Sequence, residues 1–139
     1  MNTASSIEFR FDKQLQRDQV LALYRACRWS AAEKPDQLLA ALAGSDSVVS
    51  AWQGGRLIGL GNAISDGAMV VYYPHLLVDP EHQRAGIGRQ IMEHLRERYR
   101  AFHQQVLLSV DDAFDFYQRL GFQDTRGVRP MWIYQGSDM

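Results

Sequence analysis

Two turn signals divide the middle of the chain into three apolar runs, and this division constrains the fold more than any other feature. Gly54-Gly55 separates the run over 48–53 from that over 56–65, and Asp66-Gly67 separates the second run from a third over 68–78. Gly-Gly and Asp-Gly favour the primed turns that join neighbouring antiparallel strands. The sequence therefore predicts a three-stranded antiparallel meander.

Pro74 interrupts the third run of this meander. Proline has no N–H to donate to a sheet ladder, so it occurs at sheet edges, at bulges or where a neighbouring strand departs. The sequence therefore predicts a disturbed sheet near Pro74. Asp66 is interpreted as a turn residue rather than a catalytic one.

Helical periodicity and short extended runs surround the meander. Apolar residues recur at helical spacing in four segments, 20–27, 35–44, 87–102 and 113–120. Further strands are predicted at 7–11, 105–110, 122–124 and 131–134. Gly44 is expected to close the second helix in a left-handed conformation. The strands before and after the third helix indicate a parallel crossover.

Composition limits the class of protein. The chain has 139 residues, 46% of them hydrophobic, and a formal net charge of −1, which fits one domain over residues 1–139. The balanced charge gives no reason to expect nucleic acid or a membrane as a partner. Neither a secretion signal nor a metal site is expected, and Cys27, the single cysteine, fits a buried thiol in a reducing cytoplasm.

Two glycines stand at the start of the third helix, in QRAGIGR at residues 83–89. Glycine begins a helix poorly, so its presence there needs a reason. A helix N-terminus exposes N–H groups without intrahelical acceptors and carries positive partial charge. With no side chains at Gly86 and Gly88 a phosphate can reach these groups, and Arg84 and Arg89 can add charged donors. The stretch predicts a pyrophosphate site.

Three phosphate-binding motifs compete for this stretch. The P-loop pattern, GxxxxGK followed by Ser or Thr, does not occur in the chain. The dinucleotide-binding fingerprint requires a third Gly or Ala where the chain has Ile91, and an early βαβ unit where it has a meander. Residues 83–88 match the third pattern, QxxGxG, in full.

With this motif the chain resembles the GNAT family of acetyl-CoA-dependent N-acetyltransferases. A second stretch, AFDFYQRLGF at residues 113–122, looks like another signature of that family, and the predicted order of elements is similar over essentially the whole chain. The resemblance implies an α+β fold with a central, mostly antiparallel twisted sheet of six to seven strands and about four helices. It also implies that the sheet is splayed at the strand before the QRAGIG loop.

The resemblance further implies where acetyl-CoA, the co-substrate, would bind. Its pantetheine arm would lie in the splay, against a bulged strand segment formed by Leu76, Leu77 and Val78. Its pyrophosphate would be held chiefly by main-chain N–H groups of the glycine loop. The residues of that loop are Arg84, Ala85, Gly86, Ile87, Gly88 and Arg89. Tyr117, in the second signature, would lie beside the CoA sulfur.

Acetyl transfer to an amine through a tetrahedral intermediate needs an oxyanion donor, a base and a proton for the departing thiolate. By resemblance, the Leu77 N–H would meet the oxyanion and the Tyr117 hydroxyl would protonate the sulfur. Tyr117 also belongs to the apolar stripe of its helix, where aromatic residues more often pack in the core. His75, beside the expected bulge, is the candidate base because histidine titrates near neutral pH. A purely structural histidine is the alternative.

The acceptor is predicted to be a primary amine of a small molecule, such as an arylalkylamine or a polyamine. CRWS at 27–30 and AISDG at 63–67 look like a small bacterial subgroup of the family that includes enzymes for such amines. Trp29 and Ser30, together with His75, would then line the acceptor pocket. Trp29 fits equally a residue that anchors its loop on the core.

Two alternatives to this function stay open. Gln105 stands near the place of a Glu that serves as base in many members acting on protein N-termini, and Val110 replaces a frequent Asn. These departures argue against that subclass, although a protein or peptide amine remains an alternative acceptor. They also fit a CoA-binding or sensor module without turnover. Because small members of the family are often dimers, a homodimer is one expected assembly.

Overall fold

The computed structural model describes residues 6–137, which form six strands and four α-helices. The strands are β1 (Glu8–Arg10), β2 (Ser47–Gln53), β3 (Arg56–Ser65), β4 (Val70–Tyr73), β5 (Leu76–Val78) and β6 (Gln104–Leu107). The helices are α1 (Arg17–Ala26), α2 (Pro35–Ala43), α3 (Ile87–Arg98) and α4 (Phe114–Arg119). The predicted α+β class, with six strands and four helices, is confirmed.

The helices form where apolar residues recur along one face. α1 buries Val20 and Tyr24 on such a face, and α2 begins at Pro35, whose fixed φ suits a first turn. Gly44 follows α2 with a φ of −88°, so the prediction of a left-handed end there is wrong. The chain instead stays right-handed, because the Gly44 N–H still donates to the Ala40 carbonyl as in the helix.

The strands form one mixed sheet in the order β1-β2-β3-β4-β6, and β5 pairs separately with β3. All pairs are antiparallel except that of β4 with β6, in which Val70 lies opposite Gln104 and Tyr73 opposite Leu107. The chain passes from β5 through α3 to β6, so the predicted meander and parallel crossover are both confirmed. β1 and β6 lie at the two edges of the sheet.

The third run of the meander forms two strands rather than one, because the ladder breaks at Pro74. β3 pairs with β4 with Ile64 opposite Tyr72, and with β5 with Gly61 opposite Leu76. Between these two pairings, residues 62 and 63 of β3 lie opposite three residues, 73–75. The β4–β5 segment therefore contains a bulge of one extra residue. The bulge was predicted at Leu76 to Val78, which is wrong. β5 pairs regularly, since the proline that cannot join the ladder precedes it.

A gap in the sheet follows from this break. β4 is paired with β6, whereas β5 is paired with β3 alone among the described strands. β6 ends at Leu107, opposite the last residue of β4, so no strand of the described chain lies along the outer edge of β5. The splay predicted before the QRAGIG loop is therefore confirmed. We call the space beside β5 the splay gap.

Apolar side chains pack on both faces of the sheet. One buried cluster joins α1 and α2 to the sheet and includes Leu77. The other joins α3 to the opposite face, and Leu76, Val78, Phe116 and Tyr117 pack against it. Successive side chains of β5 therefore point to opposite faces. β5 thus borders both halves of the core at the splay gap.

The C-terminal part of the chain departs from the sequence-based predictions. Within residues 6–137, the strands predicted at 122–124 and 131–134 are absent, so those predictions are wrong. Gly121 ends α4 with a φ of 100°, as a helix-ending glycine does. Residues 131–134 are exposed and join no ladder of the described sheet. Strand propensity without a ladder partner does not form a strand. In the described part of the chain, no helix has the length and apolar character needed to cross a membrane.

Candidate functional site

The glycine loop makes a tight turn before α3. Gly86 is the N-cap of α3 and has a left-handed backbone, with φ of 80°. Arg84 is also left-handed, with φ of 70°, a conformation that non-glycine residues adopt rarely. The N-cap makes no side-chain hydrogen bond to the first turn. The first N–H groups of α3 therefore lack the usual side-chain acceptor, which suits them to an anion.

Gly88 brings the glycine loop, β5 and α4 together. A Cβ atom built on Gly88 would lie 3.6 Å from Phe116 Cζ and 3.6 Å from Val78 Cγ2, and 3.9 Å from Leu76 Cδ2. These are ordinary contact distances, so the fold itself would accept an alanine here. The absence of a side chain at Gly88 keeps the start of α3 open toward the splay gap.

The hydrogen-bond pattern between β3 and β5 decides which β5 amides face the splay gap. The Asn62 N–H donates to the His75 carbonyl at 3.2 Å, and the Asp79 N–H donates to the Ile58 carbonyl at 2.8 Å. Because such pairs alternate along an antiparallel ladder, the N–H of Leu77 points toward β3 and those of its two neighbours point away from it. The amides of Leu76 and Val78 thus face the gap. This orientation does not fit the oxyanion role predicted for the Leu77 N–H.

Two side chains hold the end of β5 through the Val78 carbonyl. Gln83 Nε2 donates to this oxygen at 3.1 Å, and the Cys27 thiol donates to it at 3.3 Å. Gln83 therefore ties the glycine loop to the strand that lines the gap. Burial, followed by the nearby Asp79 carboxylate, raises the pKa of Cys27 to about 11, so the thiol stays protonated.

Asp79 holds the turn that leads from β5 into the glycine loop. Its carboxylate accepts the Glu81 N–H at 2.9 Å and pairs with the Arg56 guanidinium at 2.5 Å. Only 5% of the Asp79 side chain is exposed, whereas 56% of the Arg56 side chain is exposed. The ion pair therefore closes this turn on its solvent side.

His75 lies on the α1 side of the sheet, in a group of aromatic residues. Its Nδ1 lies 2.8 Å from the Tyr24 hydroxyl, and its ring centroid lies 5.0 Å from that of Trp29. The backbone N–H of His75 donates to Asn62 Oδ1 at 3.0 Å. The Asn62 side chain therefore supplies the acceptor that the bulged backbone needs. The structure therefore brings the predicted residues Trp29 and His75 together, next to the first gap-facing amide, that of Leu76.

Tyr117 lies on the other face of the sheet. Its ring packs between Phe116 and Phe122, at centroid distances of 5.0 and 5.9 Å. Burial raises the pKa of Tyr117 to about 12, so its hydroxyl keeps its proton well above neutral pH. The hydroxyl makes no hydrogen bond to the part of the chain that the structure describes. It is therefore a proton donor without a competing partner there.

An open cleft lies beside Trp29 and Ser30, which were predicted to line an acceptor pocket. Arg25, Arg28 and Glu33 also line it. The Ser30 hydroxyl accepts the Ser137 N–H at 3.2 Å. The structure therefore places the two predicted acceptor residues on one cleft, with charged neighbours that the sequence-based interpretation did not include.

Sequence reasoning missed three residues that organise this site, Tyr24, Asn62 and Gln83. Asn62 is a buried polar residue in the middle of an apolar strand, and that contrast was a usable signal. Gln83 was part of the recognised motif without an assigned contact. No pattern in the sequence pairs Tyr24 with His75, because they are 51 residues apart and meet only in the fold.

Comparisons with known proteins all match this chain to acetyltransferases. A sequence profile described as "Acetyltransferase (GNAT) domain" matches residues 13–130. The GCN5-related N-acetyltransferase 2, chloroplastic, of Arabidopsis thaliana is 38% identical over 85 residues, which cover 57% of this chain and 32% of that protein. The match thus spans about a third of that relative's length.

Solved structures agree over almost the whole chain. A GNAT-family acetyltransferase from Streptococcus pneumoniae TIGR4 superimposes with a TM-score of 0.80 and 27% identity, covering 94% of this chain and 99% of that one. The aminoglycoside N-acetyltransferase AAC(6')-Iy, solved in complex with CoA, has the same fold, with a TM-score of 0.73 and 14% identity over 97% of this chain and 98% of its own.

A mixed sheet that opens beside a glycine-rich helix start places the chain in the acetyltransferase class. The profile match over residues 13–130 narrows this assignment. The chain belongs to the GNAT family of acetyltransferases. The family resemblance drawn from the two sequence signatures is thereby confirmed.

Proposed function

We propose that this chain transfers the acetyl group of acetyl-CoA directly to a primary amine of a small molecule. One observation carries the proposal: the uncapped start of α3, β5 with its gap-facing amides and Phe116 of α4 meet at Gly88, and Tyr117 packs against Phe116. An anion site, a row of amides and a proton donor are the three groups that a bound acyl-CoA requires. When bound, acetyl-CoA supplies the activated thioester carbonyl.

The residues that would hold acetyl-CoA follow from this geometry. The N–H groups of the glycine loop and α3, from Arg84 to Arg89, would bind the pyrophosphate, with the two arginines adding positive charge. The Val78 N–H would bind the pantetheine arm at the open edge of β5, which leaves the Leu76 N–H for the acetyl carbonyl. Gly88 leaves room for both contacts.

Three residues are proposed for the chemistry. The amine nitrogen attacks the acetyl carbon, forming the C–N bond, and the C–S bond breaks. The Leu76 N–H, which faces the splay gap, donates to the carbonyl oxygen as negative charge develops on it. The Tyr117 hydroxyl donates a proton to the departing sulfur. His75 accepts the amine proton, which must leave because an alkylamine with a pKa of about 10 is protonated at neutral pH.

The Tyr24 contact specifies how His75 would act. Nδ1 lies 2.8 Å from the Tyr24 hydroxyl. In the tautomer in which Nδ1–H donates to the Tyr24 oxygen, Nε2 would accept the amine proton. Tyr24 is fully buried, and burial raises its pKa, which keeps the phenol neutral. A neutral, fixed partner orients the imidazole without adding charge. We further propose that the acceptor approaches from the α1 side, past Trp29 and Ser30.

A CoA-binding module without turnover is the second candidate. The observation that favours it is the packing of the two proposed catalytic side chains, His75 among Tyr24 and Trp29, and Tyr117 between two phenylalanines. A protein or peptide amine is the alternative acceptor. A cytoplasmic location and a homodimer complete the proposal.

Binding of acetyl-CoA tests the first step, with two glycine variants as a matched pair. Gly88→Ala adds a methyl group at ordinary contact distances, so we expect unchanged or higher thermal stability and at least tenfold weaker acetyl-CoA binding by calorimetry. In Gly61→Ala the new Cβ would lie 2.7 Å from buried Ile91 Cγ2. That variant should lose about 1–3 kcal/mol of stability and keep its affinity while folded.

Thiol release from acetyl-CoA across a panel of amines separates the enzyme from the passive module. We expect release with small primary amines, and a fall of about 10²-fold in kcat for Tyr117→Phe with acetyl-CoA binding retained. His75→Ala should remove the acidic limb of the kcat/KM profile. Absence of release with every small amine and peptide, despite acetyl-CoA binding, would instead establish the passive module.

A further inference from the structure

The cleft beside Trp29 is large enough to hold a small molecule. Its volume is about 500 Å³, and Arg25, Arg28, Trp29, Ser30 and Glu33 are among the residues that line it. The Trp29 ring connects the cleft to the proposed chemistry, because its centroid lies 5.0 Å from that of His75. A ligand in this cleft therefore contacts a ring that also contacts the residue proposed to accept the amine proton.

The charged side chains of this cleft favour an anionic ligand. Two arginines, Arg25 and Arg28, and one acidic residue, Glu33, line it, so the charged lining is positive by one unit. Neither arginine forms an ion pair with a residue between 6 and 137, whereas Arg17 on the same helix pairs with Asp36 at 2.8 Å. Paired guanidinium donors match the oxygens of a carboxylate or a phosphate. They repel a polyamine, which carries several positive charges at neutral pH.

The backbone at Arg28 gives a second, independent indication. Arg28 has a left-handed conformation, with φ of 62°. It follows α1 at the position where the Trp29 N–H donates back to the Tyr24 carbonyl, a helix ending at which glycine is strongly preferred. Arginine is strained there, and a residue held in such a conformation is a candidate for a functional role. This strained backbone conformation lowers stability, and it places the Arg28 side chain at the rim of the cleft.

From these observations, and resting on the proposed acetyl transfer, we propose that the acceptor carries an anionic group as well as its amine. Arg25 and Arg28 bind that group, a carboxylate or the chemically similar phosphate. The Trp29 ring forms the wall between it and His75. The acceptor is therefore an amino acid or a similar amphoteric amine rather than a polyamine or a simple arylalkylamine.

Matched acceptors test this substrate class by acetyl transfer. Tyrosine against tyramine tests the carboxylate, and O-phosphoethanolamine against ethanolamine tests the phosphate. We expect kcat/KM to favour one anionic acceptor by at least about tenfold over its partner, as a charge-assisted contact supplies. The ratio of kcat/KM for the anionic acceptor to that for its partner should approach one in Arg28→Gly and should fall in Arg25→Gln. Arg17→Gln, which makes the same change in charge on α1, should keep the wild-type ratio.

Arg28→Gly also distinguishes lost recognition from lost folding. Since glycine relieves the strain at this position, the variant should melt at a higher temperature than the wild type while losing the preference. A lower melting temperature together with an unchanged preference would overturn the proposal. Equal kcat/KM for both members of both pairs in the wild type would overturn it as well.

A ligand that cannot be acetylated separates this proposal from the proposed function. 3-Phenylpropionate has a carboxylate and no amine, and its binding is measured by calorimetry. Saturable binding that Arg28→Gly weakens at least tenfold, without turnover of any amine, would remove the transferase function and keep the anion site. Turnover of tyramine and tyrosine at equal rates, with no binding of 3-phenylpropionate, would keep the transferase and remove the anion site.

Discussion

Cys27 joins α1 to the strand that lines the splay gap, and its contacts make it unreactive. Its thiol donates to the Val78 carbonyl, and burial raises its pKa from 9.0 to about 11. Because the thiolate is the nucleophile, we expect alkylation by iodoacetamide at pH 7 to be about 100-fold slower than for an ordinary thiol. The rate should rise about tenfold per pH unit until about pH 11. Mass spectrometry of the native and the urea-unfolded chain measures both rates, and equal rates would contradict the prediction.

Burial also raises the pKa of Tyr117, which is proposed to take part in the reaction. A hydroxyl that donates a proton must be neutral, and burial raises the pKa of Tyr117 to about 12. The neutral form is therefore retained to higher pH than for an exposed tyrosine. We expect kcat to show no alkaline loss between about pH 8 and 10.5, where a tyrosine with a pKa of about 10 would produce one. A loss centred near pH 10 that disappears in Tyr117→Phe would contradict this assignment.

At the residue scale, sequence reasoning identified the strand segment that borders the splay gap but not the direction of its amides. The QxxGxG motif led to the segment 76–78, and the structure places this segment along the splay gap. Which amide faces the gap depends on which residues of β5 form hydrogen bonds to β3. One extra residue in a bulge exchanges the residues that point toward β3 with those that point away from it. Pro74 indicated the disturbance, but no local pattern says whether the bulge precedes or includes Leu76.

At the scale of elements, the bulge between β4 and β5 depends on one buried amide. Asn62 Oδ1 accepts the His75 N–H at 3.0 Å, and Asn62 Nδ2 donates to Ser45 Oγ at 3.1 Å. In Asn62→Leu the His75 N–H loses its acceptor, so we expect a loss of about 1–3 kcal/mol in the free energy of unfolding. Urea unfolding measures this loss, and the NMR signals of the His75 ring should move with it.

Ser45→Ala is the matched control for that experiment. It removes the partner of Asn62 Nδ2 and leaves the acceptor of the His75 N–H in place. We expect a loss of stability of similar size with unchanged His75 signals. If both variants moved those signals equally, the Asn62 amide would have no specific part in positioning His75.

The order of elements was predictable because each depends on local signals. Gly54-Gly55 and Asp66-Gly67 predicted the hairpins, Pro35 the start of α2, and apolar periodicity the four helices. The two closing strands were not predictable in the same way. A strand needs a partner, and the alternation in residues 131–134 says nothing about whether an edge is within reach.

At the scale of the whole molecule, the exposed apolar residues at 131–134 predict self-association. Met131 is 91% exposed and Ile133 is 94% exposed. Adjacent exposed apolar side chains of this kind mark interaction surfaces. β6 lies at the edge of the sheet and offers unpaired backbone groups along its outer side. We therefore expect residues 131–134 of one copy to pair along β6 of a second copy, which completes the proposed homodimer.

Light scattering after size exclusion tests this assembly. The wild type should have twice the chain mass of 15.9 kDa. Ile133→Glu places a charge in the proposed interface and should give a single chain, because an unpaired charge there opposes burial. Ile64→Glu changes another exposed apolar residue, on β3, and should remain dimeric. A monomeric wild type, or dimers of equal strength in all three proteins, would show that residues 131–134 do not join two copies.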